Sequence, residues 1–188
     1  MTNEGEARVL KAINNQAHAY ITIGEELNET LNGNRFVAQM LTTLATGASM
    51  DIGIEIPSTR DIRLTGIGVG CDLNFAKGLL YEDVTFTGST EIDVINSNRQ
   101  AELEHVSGIK VYSAFLVPST ITTEKIIDII ATLGGSTTRV TSIGGSDSGQ
   151  GFFLLKRSTK YLLRISNEDG VTANILLRIP FIETDLTD

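Results

Sequence analysis

The stretch from Phe152 to Glu183, FFLLKRSTKYLLRISNEDGVTANILLRIPFIE, restricts the chain more than any other. Phe152, Leu154, Leu162, Ile165, Ile175, Leu177 and Ile179 are apolar, and Lys156, Lys160, Arg164, Asn174 and Arg178 interrupt them. Alternation with a period near two marks strands that have one dry face and one wet face. Asn167 and Gly170 bracket a turn, because Gly takes a positive φ without strain and Asn tolerates it. Pro180 has no N–H to give to a ladder, which places the last strand at a sheet edge or at its own end. A three-stranded meander is expected here.

The rest of the chain agrees with strands. Thr, Ile, Val and Gly are abundant, Trp is absent, and turn signals recur about every ten residues, the spacing of an all-β sandwich or barrel. A length of 188 residues suits one domain with a terminal arm. The net charge of −8 argues against a surface that tracks phosphate backbones or anionic lipid, so neither nucleic acid nor membrane is an expected partner. Cys71 is alone, which excludes a disulfide framework and a tetrathiolate zinc site. No apolar run reaches the ~20 residues that span a bilayer. The start, MTNEGEARVL, lacks the basic and apolar segments of a signal peptide, so synthesis in a cytoplasm is expected.

Three regions are expected: an N-terminal arm over 1–35, a β-sandwich over 36–183 and a tail over 184–188. In the arm, Ala7, Val9, Leu10, Ile13 and Ala17 fit one face of a weak helix, and Tyr20, Ile21 and Ile23 fit a short strand before the polar EELNETLNGN. Two readings stand: a loosely ordered terminus, or an arm in which Val9, Leu10, Ile13, Tyr20 and Ile21 reach onto a neighbouring subunit. Further on, Ile52, Ile54 and Ile56 alternate with Asp51, Gly53 and Glu55. Gly66, Gly68 and Gly70 suggest a nucleotide loop, but Cys71 stands where G-x-G-x-x-G needs its third glycine and no helical pattern follows; Gly-rich strands are expected instead. Strands around Val84–Phe86 and Ile92–Val94 flank an expected turn at Thr87-Gly88-Ser89. Asn96-Ser97-Asn98-Arg99 is a turn, since Asn tolerates left-handed backbone and bonds neighbouring amides, and Arg99 is placed to tie it to a carboxylate or carbonyl. Val111, Ser113, Phe115 and Val117 share one face of another strand. Residues 124–133, EKIIDIIATL, fit a helix by spacing and a strand by their isoleucines, with neighbouring strands favouring the latter. Residues 134–151 form a Gly/Ser-rich loop, exposed and mobile.

Chemistry is sparse. His18 and His105 are the two histidines and form no metal pair. Cys71, beside Asp72, has no cationic neighbour to make a thiolate and reads as a buried spectator. The carboxylate pairs Glu82-Asp83, Glu102/Glu104 and Glu168-Asp169 resemble glycosidase pairs in type, but adjacency does not make them face each other, and they are expected at the solvated surface. The G-x-S-x-G and H-E-x-x-H patterns are absent. No catalytic residue, cofactor site or metal site is assigned, and an enzyme is not expected.

Taken with Asn96-Ser97-Asn98-Arg99, the segments Leu154-Leu155-Lys156, Thr159-Lys160-Tyr161-Leu162-Leu163-Arg164-Ile165-Ser166-Asn167 and Phe181-Ile182-Glu183 carry a family pattern. Over residues 36–183 it resembles the head decoration or cement proteins of tailed-phage virions, in which an Asn-x-Asn-Arg turn, a Gly-rich loop and a Thr-Lys-Tyr-Leu-Leu-Arg-Ile hairpin follow in that order. The departures are Phe152-Phe153 in place of a bulky aromatic before the Leu-Lys segment, Pro180 in the last strand, and an uncovered N-terminus. The resemblance implies an antiparallel jelly-roll-like β-sandwich without a catalytic site. It further implies a virion structural protein bound outside an icosahedral phage head, bridging subunits of the major capsid protein and stabilising the shell. Such proteins self-associate, as a homotrimer or alternatively a dimer. A head fibre, spike base or tail adaptor engaged in host glycan attachment is the alternative role.

Overall fold

β-branched and aromatic side chains fit a pleated, half-buried surface, and they dominate the elements that form. The structure, a computed structural model, describes residues 9–14, 17–22, 25–71, 76–99, 106–121, 125–131, 139–143 and 153–185. In chain order these contain β1 (Val9–Asn14), β2 (Ala17–Thr22), helix α1 (Glu25–Leu31), β3 (Arg35–Leu44), β4 (Ser49–Glu55) and β5 (Arg60–Leu64). There follow β6 (Ile67–Cys71), β7 (Ala76–Glu82), β8 (Thr85–Ile92), β9 (Val94–Asn96) and β10 (Lys110–Thr120). The chain continues with β11 (Ile126–Ala131), β12 (Arg139–Ile143), β13 (Phe153–Leu155), β14 (Lys160–Asn167) and β15 (Ala173–Asp185).

Two antiparallel sheets make a curled, jelly-roll-like β-sandwich. One has the order β11-β7-β14-β4-β10-β8; the other runs β12-β6-β15-β3-β9, with β5 beside the end of β15 and β13 beside β5. Ile52, Ile54, Leu80, Tyr161, Leu163 and Ile165 from the first sheet meet Phe36, Ile62, Val69, Ile175, Leu177 and Phe181 from the second. Phe36 and Phe181 are cross-strand partners and stack with centroids 5.7 Å apart. At one side β11 lies against β12; at the other, β8 passes into β9 through Asp93, so the sheets join there through a single residue.

The first sheet also buries part of its other face. Leu162 pairs with Gly53 on one side and Tyr81 on the other, and all three turn away from the main core. Leu162 is nonetheless fully buried, in a second cluster with Tyr81, Val84 and Phe86 that Tyr112, Phe115 and Ile121 flank. β10 reaches this position because its register against β8 slips repeatedly beyond Tyr112, and each irregularity bends the ribbon.

Several sequence expectations change. β13, β14 and β15 are strands, but not a meander: β14 pairs with β4 and β7, whereas β15 pairs with β3, β5 and β6 in the opposite sheet. Pro180 lies in a central strand. Its carbonyl accepts from Thr65 N (3.1 Å) on the side where β6 gives way to β5, so its nitrogen faces a gap in the ladder and no bond is lost. Thr87-Gly88-Ser89 is part of β8, not a turn; the Tyr112 ring lies against Gly88, where a side chain would collide. Residues 126–131 are a strand, and β12 lies within the expected Gly-rich loop, the remainder of which is outside the described residues. In the arm, Val9, Leu10 and Ile13 stand on a strand rather than a helix. Leu10 is opposite Ile21, and β1 with β2 makes a two-stranded sheet separate from both others. α1 stands where the sequence reads only as a polar segment. Its end is a Schellman motif, in which Gly33 (φ 77°) donates to Thr30 O and Asn34 N donates to Glu29 O.

Candidate functional site

Polar groups gather where strands change sheets. Asn96 ends β9, and its Oδ1 accepts from Asn98 N at 2.8 Å, across Ser97. The two amides then reach back to the helix: Asn96 Nδ2 donates to Gly33 O (2.7 Å) and Asn98 Nδ2 to Leu31 O (3.1 Å). Carbonyls at a helix C-terminus have no partner within the helix, so this segment caps α1 against β9. Arg99 is exposed.

Asn167 does the same work between sheets. It is 1% exposed, and its Nδ2 faces Leu44 O (3.0 Å), Ala45 O (3.2 Å) and Val171 O (2.9 Å). Its own backbone exchanges bonds with Gly47 and Ala48 in the β3–β4 turn. One buried amide thus holds both connections together.

Another polar cluster surrounds Glu82, which closes β7 on the inner side. The sequence suggests a solvated Glu82-Asp83 pair; Glu82 is instead buried, and Asp83 alone is exposed, with φ 58°. Lys125, preceding β11, and Lys156, following β13 (2.6 Å), both bond Glu82 Oε1, and the Tyr161 hydroxyl reaches Oε2 at 3.2 Å. That hydroxyl also accepts from Lys156 N at 2.8 Å. Burial raises the Glu82 carboxyl, but the bonds from Lys125, Lys156 and Tyr161 together outweigh it and hold it at about 2. Burial first, then the charge of Glu82, push the Tyr161 phenol to about 12. A carboxylate that stays ionised and a phenol that stays protonated do not exchange protons near neutrality. The cluster ties four strands or strand ends at one corner.

A second carboxylate lies on the outer face of the first sheet. Asp51 receives both Nε and Nη2 of Arg164, its cross-strand partner, at 2.7 Å, and Ser119 Oγ at 2.7 Å. Burial opposes its ionisation, yet these bonds prevail and hold it below the usual carboxylate range. Beside it Ser49, Met50, Ser113 and Phe115 line an open hollow of about 420 Å³. At the far end of β15, buried Glu183 accepts from Gly108 N (2.8 Å) and Arg60 Nη1 (3.1 Å). Among the described residues no group of three or more His, Cys, Asp or Glu could hold a metal ion. Cys71 is buried and free, as expected. His18 is described by its backbone, and His105, Glu102 and Glu104 lie outside the described residues.

Apolar side chains are exposed on the outer surfaces. Leu41 and Leu176 face each other across β3 and β15 at 71% and 44% exposure, between the pairs Thr43/Asn174 and Gln39/Arg178. Leu154, Leu116 and Val117 are exposed elsewhere. The arm residues Val9, Leu10, Ile13, Tyr20 and Ile21 join none of these sheets.

Fold and site together define an all-β, two-sheet scaffold in which the carboxylates of Glu82, Asp51 and Glu183 tie separate segments together. No protein-family model matches the chain, and no curated protein does. Among solved structures, it overlaps one titled "Structure of infectious bursal disease virus Gx strain" at 11% identity and TM-score 0.15, covering 95% of this chain and 48% of that one. A second, "Crystal structure of infectious bursal disease virus VP2 subviral particle", gives 8% identity and TM-score 0.15, with 95% and 47% covered. The chain spans about half the length of these structures, and scores this low carry no argument about function.

Proposed function

We propose that this chain is a virion structural protein of the head decoration type, binding the outside of a phage head and bridging capsid subunits. The sequence resemblance over 36–183 motivates this reading. The observation that carries it is the placement of apolar surface: Leu41 and Leu176 stand in register on an open sheet face, between the polar pair Thr43/Asn174 and the pair Gln39/Arg178, rather than inside a cleft. A face of that kind suits a protein surface better than a small molecule. Repetition over many capsid sites turns modest contacts into strong attachment, so one such patch per copy suffices. The acidic charge fits a position outside the shell, away from packaged nucleic acid. Self-association as a trimer is part of the proposal, because closed symmetry covers sheet edges such as β8.

Counting copies in purified particles by quantitative mass spectrometry tests it. A copy number that scales with the capsid subunits supports decoration. A handful of copies per particle overturns it in favour of a fibre base or tail adaptor.

A further inference from the structure

We propose that Asp169–Gly170 is a self-modifying site, where the chain isomerises to an isoaspartyl linkage, and that the chain's Asn-Gly pair at 32–33 is protected from the same chemistry. In the connection from β14 to β15, Gly170 N donates to its neighbour's Asp169 Oδ1 at 2.6 Å. That contact holds the nucleophile beside the side-chain carboxyl it must attack. Gly170 is exposed, and no atom beyond its two chain neighbours lies within 4 Å of where a Cβ would stand, so no other part of the described fold crowds the approach. Asp169 N is fixed by Asn167 Oδ1 at 3.0 Å, which keeps the turn in this arrangement.

The reaction needs no other reagent than water. Gly170 N attacks Asp169 Cγ; the N–Cγ bond forms, the Cγ–OH bond breaks, and one water leaves with the amide proton and the hydroxyl. The resulting succinimide adds a water at either carbonyl. Opening at the α-carbonyl leaves the chain running through Cγ, one carbon longer, with the former α-carboxyl as a free carboxylate.

Asn-Gly ordinarily cyclises faster than Asp-Gly, so composition alone points to Asn32. The structure reverses that order. Gly33 is buried, and its nitrogen is committed to Thr30 O at 3.0 Å in the Schellman motif. A nitrogen held there cannot turn to the Asn32 side chain unless the helix end opens.

Isomerisation would be felt by Asn167, whose amide bonds Val171 O at 2.9 Å and whose Oδ1 holds Asp169 N. A longer connection loosens that clamp.

The test is to age the full-length protein at physiological temperature and neutral pH. Protein isoaspartyl methyltransferase then labels the product, and peptide mapping by electron-based fragmentation locates it. Wild type is expected to gain isoaspartate at 169 and none at 32, with a lower melting temperature for the aged fraction. Gly170→Ala introduces no clash and no positive φ, so it folds as wild type, and its Cβ is expected to slow the reaction several-fold. Asp169→Glu, which would need a larger ring, is expected to abolish it. Isoaspartate appearing first at 32, none at 169, or equal rates in Gly170→Ala would each overturn the proposal.

Discussion

Leu162 lies directly across from Gly53, and the absence of a side chain on Gly53 is what buries Leu162 on the outer side of its sheet. A Cβ on Gly53 would stand 2.7 Å from the Phe86 ring and 2.8 Å from the Phe115 ring. Those rings pack edge to face at 5.2 Å and close over Leu162 and Tyr81. Lys160 completes the lid: its Nζ donates to Phe86 O at 3.0 Å and lies 4.9 Å from the ring centroid. The sheet therefore carries a second, smaller core.

Gly53→Ala is expected to destabilise the protein by about 1–3 kcal/mol, because the ring ends must shift to admit the methyl group. Gly88→Ala is expected to cost more, since its Cβ would overlap Tyr112 at Cγ, the ring atom nearest the backbone. Urea denaturation measures both. Unchanged midpoints would show that the rings are loosely held.

Asn167→Ala is expected to cost about 2–3 kcal/mol, the scale of leaving buried carbonyls without donors. Leu44 O and Val171 O lose their side-chain partner, and the two turns separate. Loss below half a kilocalorie per mole, read from the same denaturation curves, would mean that backbone bonds alone hold the junction.

The Glu82 cluster makes an acid prediction. Its folded carboxyl sits at about 2 against an ordinary 4.5. The sign follows: a depressed carboxyl adds stability above 4.5 that is lost as pH falls toward 2. Half-exposed lysines screen the effect, so about 2 kcal/mol is at stake. Wild type should lose stability over that window, and Glu82→Gln should flatten the slope while lowering stability at neutral pH. A Glu82→Gln profile parallel to wild type would contradict the assignment.

Truncation separates arm from scaffold. Removing residues 1–22 takes away a sheet that pairs with neither half of the sandwich, so the melting temperature should hold. Extending the cut through 34 removes α1 and leaves the Asn96 and Asn98 amides without Gly33 O and Leu31 O. That variant should melt lower. Equal melting of both would show that α1 is dispensable.

Much of this was legible in the residues, and what was not has physical causes. Ile52 and Ile54 alternate because one face of β4 is dry, Ile56 continues the pattern just past its end, and all three are buried. Alternation identifies a strand's face but says nothing of its neighbour, so the pattern marks β14 and β15 as strands without showing that they lie in opposite sheets. The run Tyr161-Leu162-Leu163 is apolar on both faces because both are covered, a hint of the second cluster. Pro180 misled because a gap in the ladder is a property of β5 and β6. The helix end was signalled by Asn32-Gly33, yet seven residues are too few for periodicity to show. Glu82 could not be told from a surface acid, since Lys125 and Lys156 lie 43 and 74 positions away.

The proposed decoration role is tested most directly by saturation binding of the purified protein to undecorated phage heads, followed by sedimentation at physiological salt. Wild type should bind saturably in proportion to capsid subunits, and Leu41→Asp/Leu176→Asp, folded by circular dichroism, should lose that binding. Absence of saturable binding by wild type, or undiminished binding by the double variant, would contradict the account.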